Sequence, residues 1–358
     1  MSTRTEFWTN FTSKDARQAP EEARKLEADG WDGAVMVDSQ CMFPDVWAYL
    51  AICAQATSRM KLATGVTNPI TRHPSVTAAA AASLQMISDG RAVLGIGRGD
   101  SALAYVGAQP MSISAFEHYL GILQTYLRGE MVEMADASAM VLNAKIGFEN
   151  LAIGSAPIGS SLKWLADYDL PKVPVESYAT GPKAIASSAR VADTVILGLA
   201  AEINRVAWGV DVTKGAAQEA GREVGVGCAV MAVPHEDVQV ARTLARPTVA
   251  SMSRFSVMNK KVIGPATREQ TETLLKLAEV YDMNKHGDAA AQSNVMSDEL
   301  VDQFGIVGTV DTCVDRLKAF VDLGLDRMTL FFPQGRQAEM AHSYDLLVNE
   351  VLPKVRAG

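Results

Sequence analysis

The run VLGIGRGDSA, residues 93–102, sets three glycines beside an arginine and an aspartate. Gly97 and Gly99 carry no side chain, so the backbone there can approach a ligand and turn its N–H groups inward as an anion nest. Arg98 adds a planar fork suited to phosphate. Taken alone, the same residues also suit a plain strand-to-helix turn with a surface ion pair between Arg98 and Asp100. Two nucleotide motifs are excluded, because the dinucleotide fingerprint needs glycine where Asp100 stands and no Gly-Lys-Ser/Thr follows. A second turn, ESYATGPKAI (176–185), places small residues before Pro182, which opens a helix. Free N–H groups and the helix dipole make that start a second anion site, with Lys183 close by. In TGVTNPITRHP (64–74), Asn68, Arg72 and His73 stand together, and VDSQ (37–40) sets Asp38 behind four apolar residues. A lone carboxylate there costs stability unless it is paired, caps a helix or bonds its own loop.

These stretches follow short apolar runs that read as strands: 5–11, 33–39, 61–67, 92–97, 173–179, 193–199, 224–233 and 326–332. Several are continuously apolar, as parallel strands covered on both faces must be. Amphipathic stretches alternate with them. Residues 15–30 end in a C-cap-like glycine, and 44–58, 74–90 and 181–192 have proline or Gly-Pro at the start of a helix. Eight strand–helix repeats predict an α/β fold, a (β/α)8 TIM barrel, with a doubly wound open sheet as the rival. In the barrel, Asp38, Asn68, the 97–101 turn and the 179–183 turn all lie at strand C-terminal ends, where barrel enzymes place their chemistry. Residues about 130–171 and 247–303 are insertions after strands 4 and 7, too long for ordinary loops. They form walls or a lid over the active face, or packing and oligomerisation elements. No linker divides the chain, so residues 1–358 read as one domain.

Net charge is −8, which argues against a non-specific nucleic-acid or anionic-membrane partner. The cysteines Cys41, Cys53, Cys228 and Cys313 are scattered and form no CxxC pair, so neither a metal site nor a disulfide framework is expected. No signal-like start or long apolar run occurs, and a cytoplasmic protein is expected.

In order and spacing, GWDGAVMVDSQ (30–40), KLATGVTNPITRHPSVTAAAAASL (61–84), GRAVLGIGRGDSA (90–102) and YATGPKAIASSARVADTVILG (178–198) resemble the luciferase-like monooxygenase superfamily. The branch resembled uses the deazaflavin coenzyme F420. It includes reductases of methylene-tetrahydromethanopterin and F420-dependent glucose-6-phosphate and secondary alcohol dehydrogenases; other members use reduced FMN and oxygen. The resemblance implies hydride transfer between the deazaflavin C5 and a small organic substrate, in a homodimer. It places Asp38 at the cofactor ring. Gly65–Val66 becomes a bulge with a non-proline cis peptide that bends the deazaflavin, with Thr67 and Asn68 beside the ring. Gly97, Arg98, Gly99, Asp100 and Ser101, with Ala179, Thr180, Gly181, Pro182 and Lys183, are implied to hold the polar tail and its phosphate.

One position departs from that pattern. Relatives often carry histidine directly after the strand-2 aspartate, where this chain has Ser39 and then Gln40. Serine is a poor acid or base at neutral pH, so Ser39 is left to hydrogen-bond the ring. Asp100 takes the place of an acidic residue that relatives use, and is the first candidate for proton transfer. His73 is the second, and otherwise a loop residue of the third helix. His118, His235, His286 and His342 have no motif around them and read as structural or surface residues. Trp8 either walls the substrate pocket or is core. Arg254, Lys260, Lys261 and Arg336 either bind an anionic substrate or are solvated. The alternative functions are an FMN-dependent monooxygenase on the same barrel and a non-catalytic flavin-binding barrel.

Overall fold

The computed structural model describes residues 4–140, 155, 157–258, 260–286, 291–332 and 338–357. Nine parallel strands form the main sheet: β1 (Glu6–Asn10), β2 (Gly33–Met36), β3 (Lys61–Thr64), β4 (Ala92–Ile96), β5 (Val175–Ala179), β6 (Thr194–Leu197), β7 (Gly225–Pro234), β8 (Ile306–Gly308) and β9 (Arg327–Phe331). β9 pairs with β1, Arg327 opposite Glu6, and with β7, Arg327 opposite Gly227. β7 in turn pairs with β6. These pairings close eight strands into a (β/α)8 barrel and exclude the open sheet. β8 lies outside the ring, paired to the far end of β7 with Ile306 opposite Ala232.

Helices α1 (Ala19–Ala28), α2 (Val46–Ala56), α3 (Pro74–Ile87), α4 (Ile113–Leu127), α5 (Pro182–Val191) and α6 (Ile203–Glu219) separate β1 to β7 in turn. After β7 come α7 (Val238–Ser253), α8 (Arg268–Val280), α9 (Asp298–Phe304) and α10 (Val310–Val321), and α11 (Ala338–Leu346) follows β9. Pro74 and Pro182 open their helices, as the sequence predicts. Pro44 does not: α2 starts at Val46, because the Asp45 carboxylate accepts from the Trp47 and Ala48 amides, both at 3.0 Å. The second insertion also starts later than 247. Helix α7 runs through Pro247 to Ser253, and Val249 and Ala250 stay buried beyond the proline. Packing of that face outweighs the one backbone hydrogen bond a proline removes.

Each strand sends alternate side chains to two separate cores. Ala34, Met36, Leu62, Leu94 and Ile96 point outward into the layer shared with the helices, whereas Trp8, Val35, Ala63 and Val93 pack together inside the barrel. Gly33 makes room for Trp8, since a Cβ there would stand 2.4 Å from the indole. The barrel interior also holds charge: Arg327 lies 3.6 Å over the Trp8 ring and pairs with buried Glu176. Trp8 is therefore core, the second of the two roles its position allowed.

The described part of the first insertion forms a short ladder, Val132–Glu133 against Gly159–Ser160, tied down by a Tyr126 hydroxyl bond to Ser160 Oγ at 2.7 Å. Residues 141–154 and 156 of that insertion lie outside the described residues. The second insertion carries the ladder Val257–Met258 against Lys261–Val262, then α8, which opens with a capping box between Thr267 and Gln270.

Candidate functional site

Asp38 lies two residues beyond β2 and is only 3% exposed. Its carboxylate accepts from the Thr67 hydroxyl at 2.7 Å and from the Arg72 guanidinium, which also reaches Asp45 at 3.3 Å. The lone carboxylate thus has a cationic partner and ties the end of β2 to the loop after β3. Helix capping, the other role open to it, belongs to Asp45.

Beyond β3 the Gly65–Val66 peptide is cis. The Gly65 amide donates to the Met36 carbonyl at 2.7 Å, the Thr67 amide to Gly95 at 3.0 Å and the Gly97 amide to Thr67 at 3.0 Å. The ends of β2, β3 and β4 are therefore laced together through backbone bonds. Asn68 is buried, and its Oδ1 accepts from the Ile70 and Thr71 amides at 3.1 Å. Its Nδ2 has no partner among the described residues, nor has the buried Ser39 Oγ. An unsatisfied buried polar atom costs about 1–3 kcal/mol, so two of them at the mouths of adjacent strands mark groups that a ligand would satisfy.

The β4 turn brings a glycine against Asn68. Gly99 has φ +94°, and a Cβ on it would stand 3.5 Å from Asn68 Cβ and 2.2 Å from Leu103 Cδ1. Arg98 donates from Nε to the Met111 carbonyl at 2.6 Å, and burial pulls its guanidinium below its ordinary pKa. Asp100 pairs with Arg254, not with Arg98. Arg254 comes from the second insertion and lies over the rings of Phe255 and Tyr281, at 4.4 and 5.0 Å. Ser101 opens a single helical turn, Ser101–Ala104.

The β5 turn stands alongside, because Ile96 pairs with Ser177. Ala179 and Gly181 are buried, while Pro182 and Lys183 are exposed. Gly181 caps α5 without a side-chain bond to its first turn, and Ile263 of the second insertion would meet a Cβ there at 3.4 Å. The second insertion thus walls the β4 and β5 turns.

His73 is placed elsewhere. It caps α3, with Nδ1 accepting from the Ser75 amide at 3.2 Å and Nε2 at 2.9 Å from the Ala137 carbonyl. Both ring nitrogens are spent on protein partners. Arg254 as the partner of Asp100, and Arg72 as the partner of Asp38, are pairings that spacing along the chain does not reveal. Arg336 lies outside the described residues. A cavity of about 460 Å³ opens away from this cluster, between Ala201–Ile203, Gln303, Gly308 and Arg316. Its polar groups are already engaged: Glu202 caps α6, and Arg316 donates to the carbonyls of Asp302, Gly305 and Ala201.

The chain is similar to 5,10-methylenetetrahydromethanopterin reductase from Methanolobus tindarius, 28% identical over 330 residues that cover 89% of this chain and 91% of the relative. It is also similar to F420-dependent glucose-6-phosphate dehydrogenase from Beutenbergia cavernae, 23% identical over 88% of this chain and 84% of the relative. In fold it matches the coenzyme F420-dependent tetrahydromethanopterin reductase from Methanopyrus kandleri with a TM-score of 0.72, at 21% identity, over 98% of this chain and 99% of that one. The family description for luciferase-like monooxygenases matches residues 1–327, and the chain belongs to that family.

Proposed function

We propose that this chain is an F420-dependent oxidoreductase acting on a small organic substrate. The observation that carries the reading is the pair of unpartnered buried atoms, Ser39 Oγ after β2 and Asn68 Nδ2 after β3, with the glycine turn at Gly99 lying against Asn68. Such donors suit a planar ring bearing carbonyl acceptors, and the turn suits a backbone that must lie close to it. The names of the relatives support F420 over FMN.

When bound, F420 supplies a two-electron hydride donor and acceptor at its C5. The protein's part is positioning. Asp38, Thr67 and Arg72 hold the strand ends in place, and Gly65 and Val66 line the ring site. Ser39 and Asn68 hydrogen-bond the ring. Gly97, Arg98, Gly99, Asp100 and Ser101, with Ala179, Thr180, Gly181 and Lys183, grip the tail through backbone amides and two cations, and Pro182, which has no N–H to give, fixes the start of α5 beside it. The whole chain works as one domain, in a homodimer. Substrate choice belongs to the insertions and the ends of the last barrel strands, of which the second insertion walls the β4 and β5 turns.

Asp100 is the group proposed to move the proton: Arg254 engages its Oδ1 and leaves Oδ2 for the proton, whereas both ring nitrogens of His73 are committed and Ser39 is a poor acid. Asp100→Asn should bind F420 within about twofold of the wild type, yet lower turnover about 10²-fold, the low end for general acid–base groups. Fluorescence titration and steady-state oxidation of reduced F420, with an acceptor the wild type turns over, read the two arms. Unchanged kcat would remove Asp100 from the reaction and leave it a strap for Arg254.

A further inference from the structure

At the end of β7, apart from the β4 and β5 turns, three side chains converge that the proposed chemistry does not use. His235 directly follows β7, its amide anchored at 2.8 Å on the Gly308 carbonyl. Glu236 comes next, and His342 reaches over from α11. His342 Nε2 stands 2.8 and 3.1 Å from the two Glu236 oxygens, and His235 Nδ1 is 3.8 Å from Oε2. The imidazoles meet edge to face with centroids 5.4 Å apart. One ligand atom from each residue lies within 4.8 Å of the others.

We infer that His235, Glu236 and His342 bind a zinc-type divalent cation that clamps α11 to the end of β7. Two imidazoles and a carboxylate are borderline donors, matched to zinc, nickel or copper and poorly matched to magnesium or calcium. Around a tetrahedral ion with bonds of about 2.1 Å, ligand atoms sit roughly 3.4 Å apart. Rotation of the exposed Glu236 and His342 side chains supplies the remaining closure, while His235 is largely buried and stays put. The Asp237 amide donates to His235 Nδ1 at 3.0 Å, so the ring carries its lone pair on the nitrogen that faces Glu236. The ion takes that lone pair in place of the amide, which is exposed enough to turn to water. On His342 it replaces the proton shared with Glu236. Three protein ligands leave a fourth position for water, so the site is open on its solvent side.

The consequence is mechanical. Glu236 and His342 are 106 positions apart, on elements either side of the closing strand β9. A ligand that binds only the folded chain stabilises it by mass action, so the cation should raise the melting temperature.

The test is equilibrium dialysis of the full chain against zinc chloride alone, with magnesium chloride in parallel and a thermal melt at each concentration. The wild type should take up one zinc per chain and melt higher. His342→Ala and His235→Ala should each weaken that binding at least about tenfold, since even the outer partners of metal ligands are worth 10–100-fold, and should lose the zinc-dependent melting shift. Cys41 is an exposed thiol and the main competing ligand, and Cys41→Ser should leave uptake unchanged. His342 is half exposed, so its substitution leaves the fold intact. Zinc uptake that is absent in the wild type, survives both histidine substitutions, vanishes with Cys41→Ser or is equalled by magnesium would overturn the assignment.

Discussion

Glu176→Leu should destabilise the fold by about 3–5 kcal/mol, the range found when one partner of a buried ion pair is removed. Glu176 and Arg327 are 8% and 4% exposed at the side chain, deep inside the barrel. Burial pushes the Glu176 carboxyl above its ordinary pKa, and Arg327 is the strongest pull in the other direction. Arg327 has further partners in the Tyr178 hydroxyl at 3.0 Å, Thr329 Oγ1 and the Trp8 ring. None of these is an anion. Leucine at 176 therefore strands a guanidinium where water cannot reach it, whereas Glu176→Gln keeps an acceptor and should cost less. Adding Arg327→Met to Glu176→Leu should restore much of the loss, because a well-packed apolar pair can replace a buried ion pair. Urea unfolding followed by circular dichroism reads all three variants. A Glu176→Leu chain as stable as the wild type would mean that Arg327 finds another counter-charge.

The second large effect is expected on cofactor affinity. Gly99→Val should weaken F420 binding at least about tenfold, or 1.4 kcal/mol. The backbone at Gly99 has φ +94°, a region in which a β-branched residue is an outlier, and the new Cβ would drive into Leu103 Cδ1 at 2.2 Å. Relief requires the turn to open, which moves the amides of residues 97–101 away from Asn68. Gly107→Val separates strain from binding. Gly107 also has positive φ, at +70°, but a Cβ there meets nothing within 4 Å. That variant should lose stability while keeping its affinity. Equal F420 affinity in Gly99→Val and the wild type would take the β4 turn out of the binding site.

The barrel is legible in the sequence because parallel strands sealed on both faces are apolar at most positions. The run Ala34-Val35-Met36 shows it, with two residues serving the outer core and one the inner. Alternation of such runs with helices gives the strand order, and strand order alone places Asp38, Gly65, Asn68 and Gly97 side by side. β8 is missed for a physical reason: three residues are too short to show a period. Proline gives a helix start at 74 and 182 but misleads at 44, where a capping aspartate decides instead, and the insertion boundary at 247 falls inside α7, which tertiary packing carries on to Ser253.

At the site, residue types are readable and their partners are not. Arg72 sits 34 positions from Asp38, and Arg254 sits 154 from Asp100. Which cation reaches which carboxylate depends on the path of the loops. Neither Glu176 within VPVESYA nor Arg327 within DRMTLFF was singled out by the sequence, although each is a charge on a strand expected to be buried. Charges of that kind are the signal that points to an interior pair.

The most direct test of the account is a fluorescence-quenching titration of the purified chain with oxidised F420 and, in parallel, with FMN. Saturable F420 binding at micromolar or lower concentration, with FMN much weaker, is the predicted result. Preferential binding of FMN would contradict it, and would assign Ser39, Asn68 and the β4 turn to an oxygen-using flavin site.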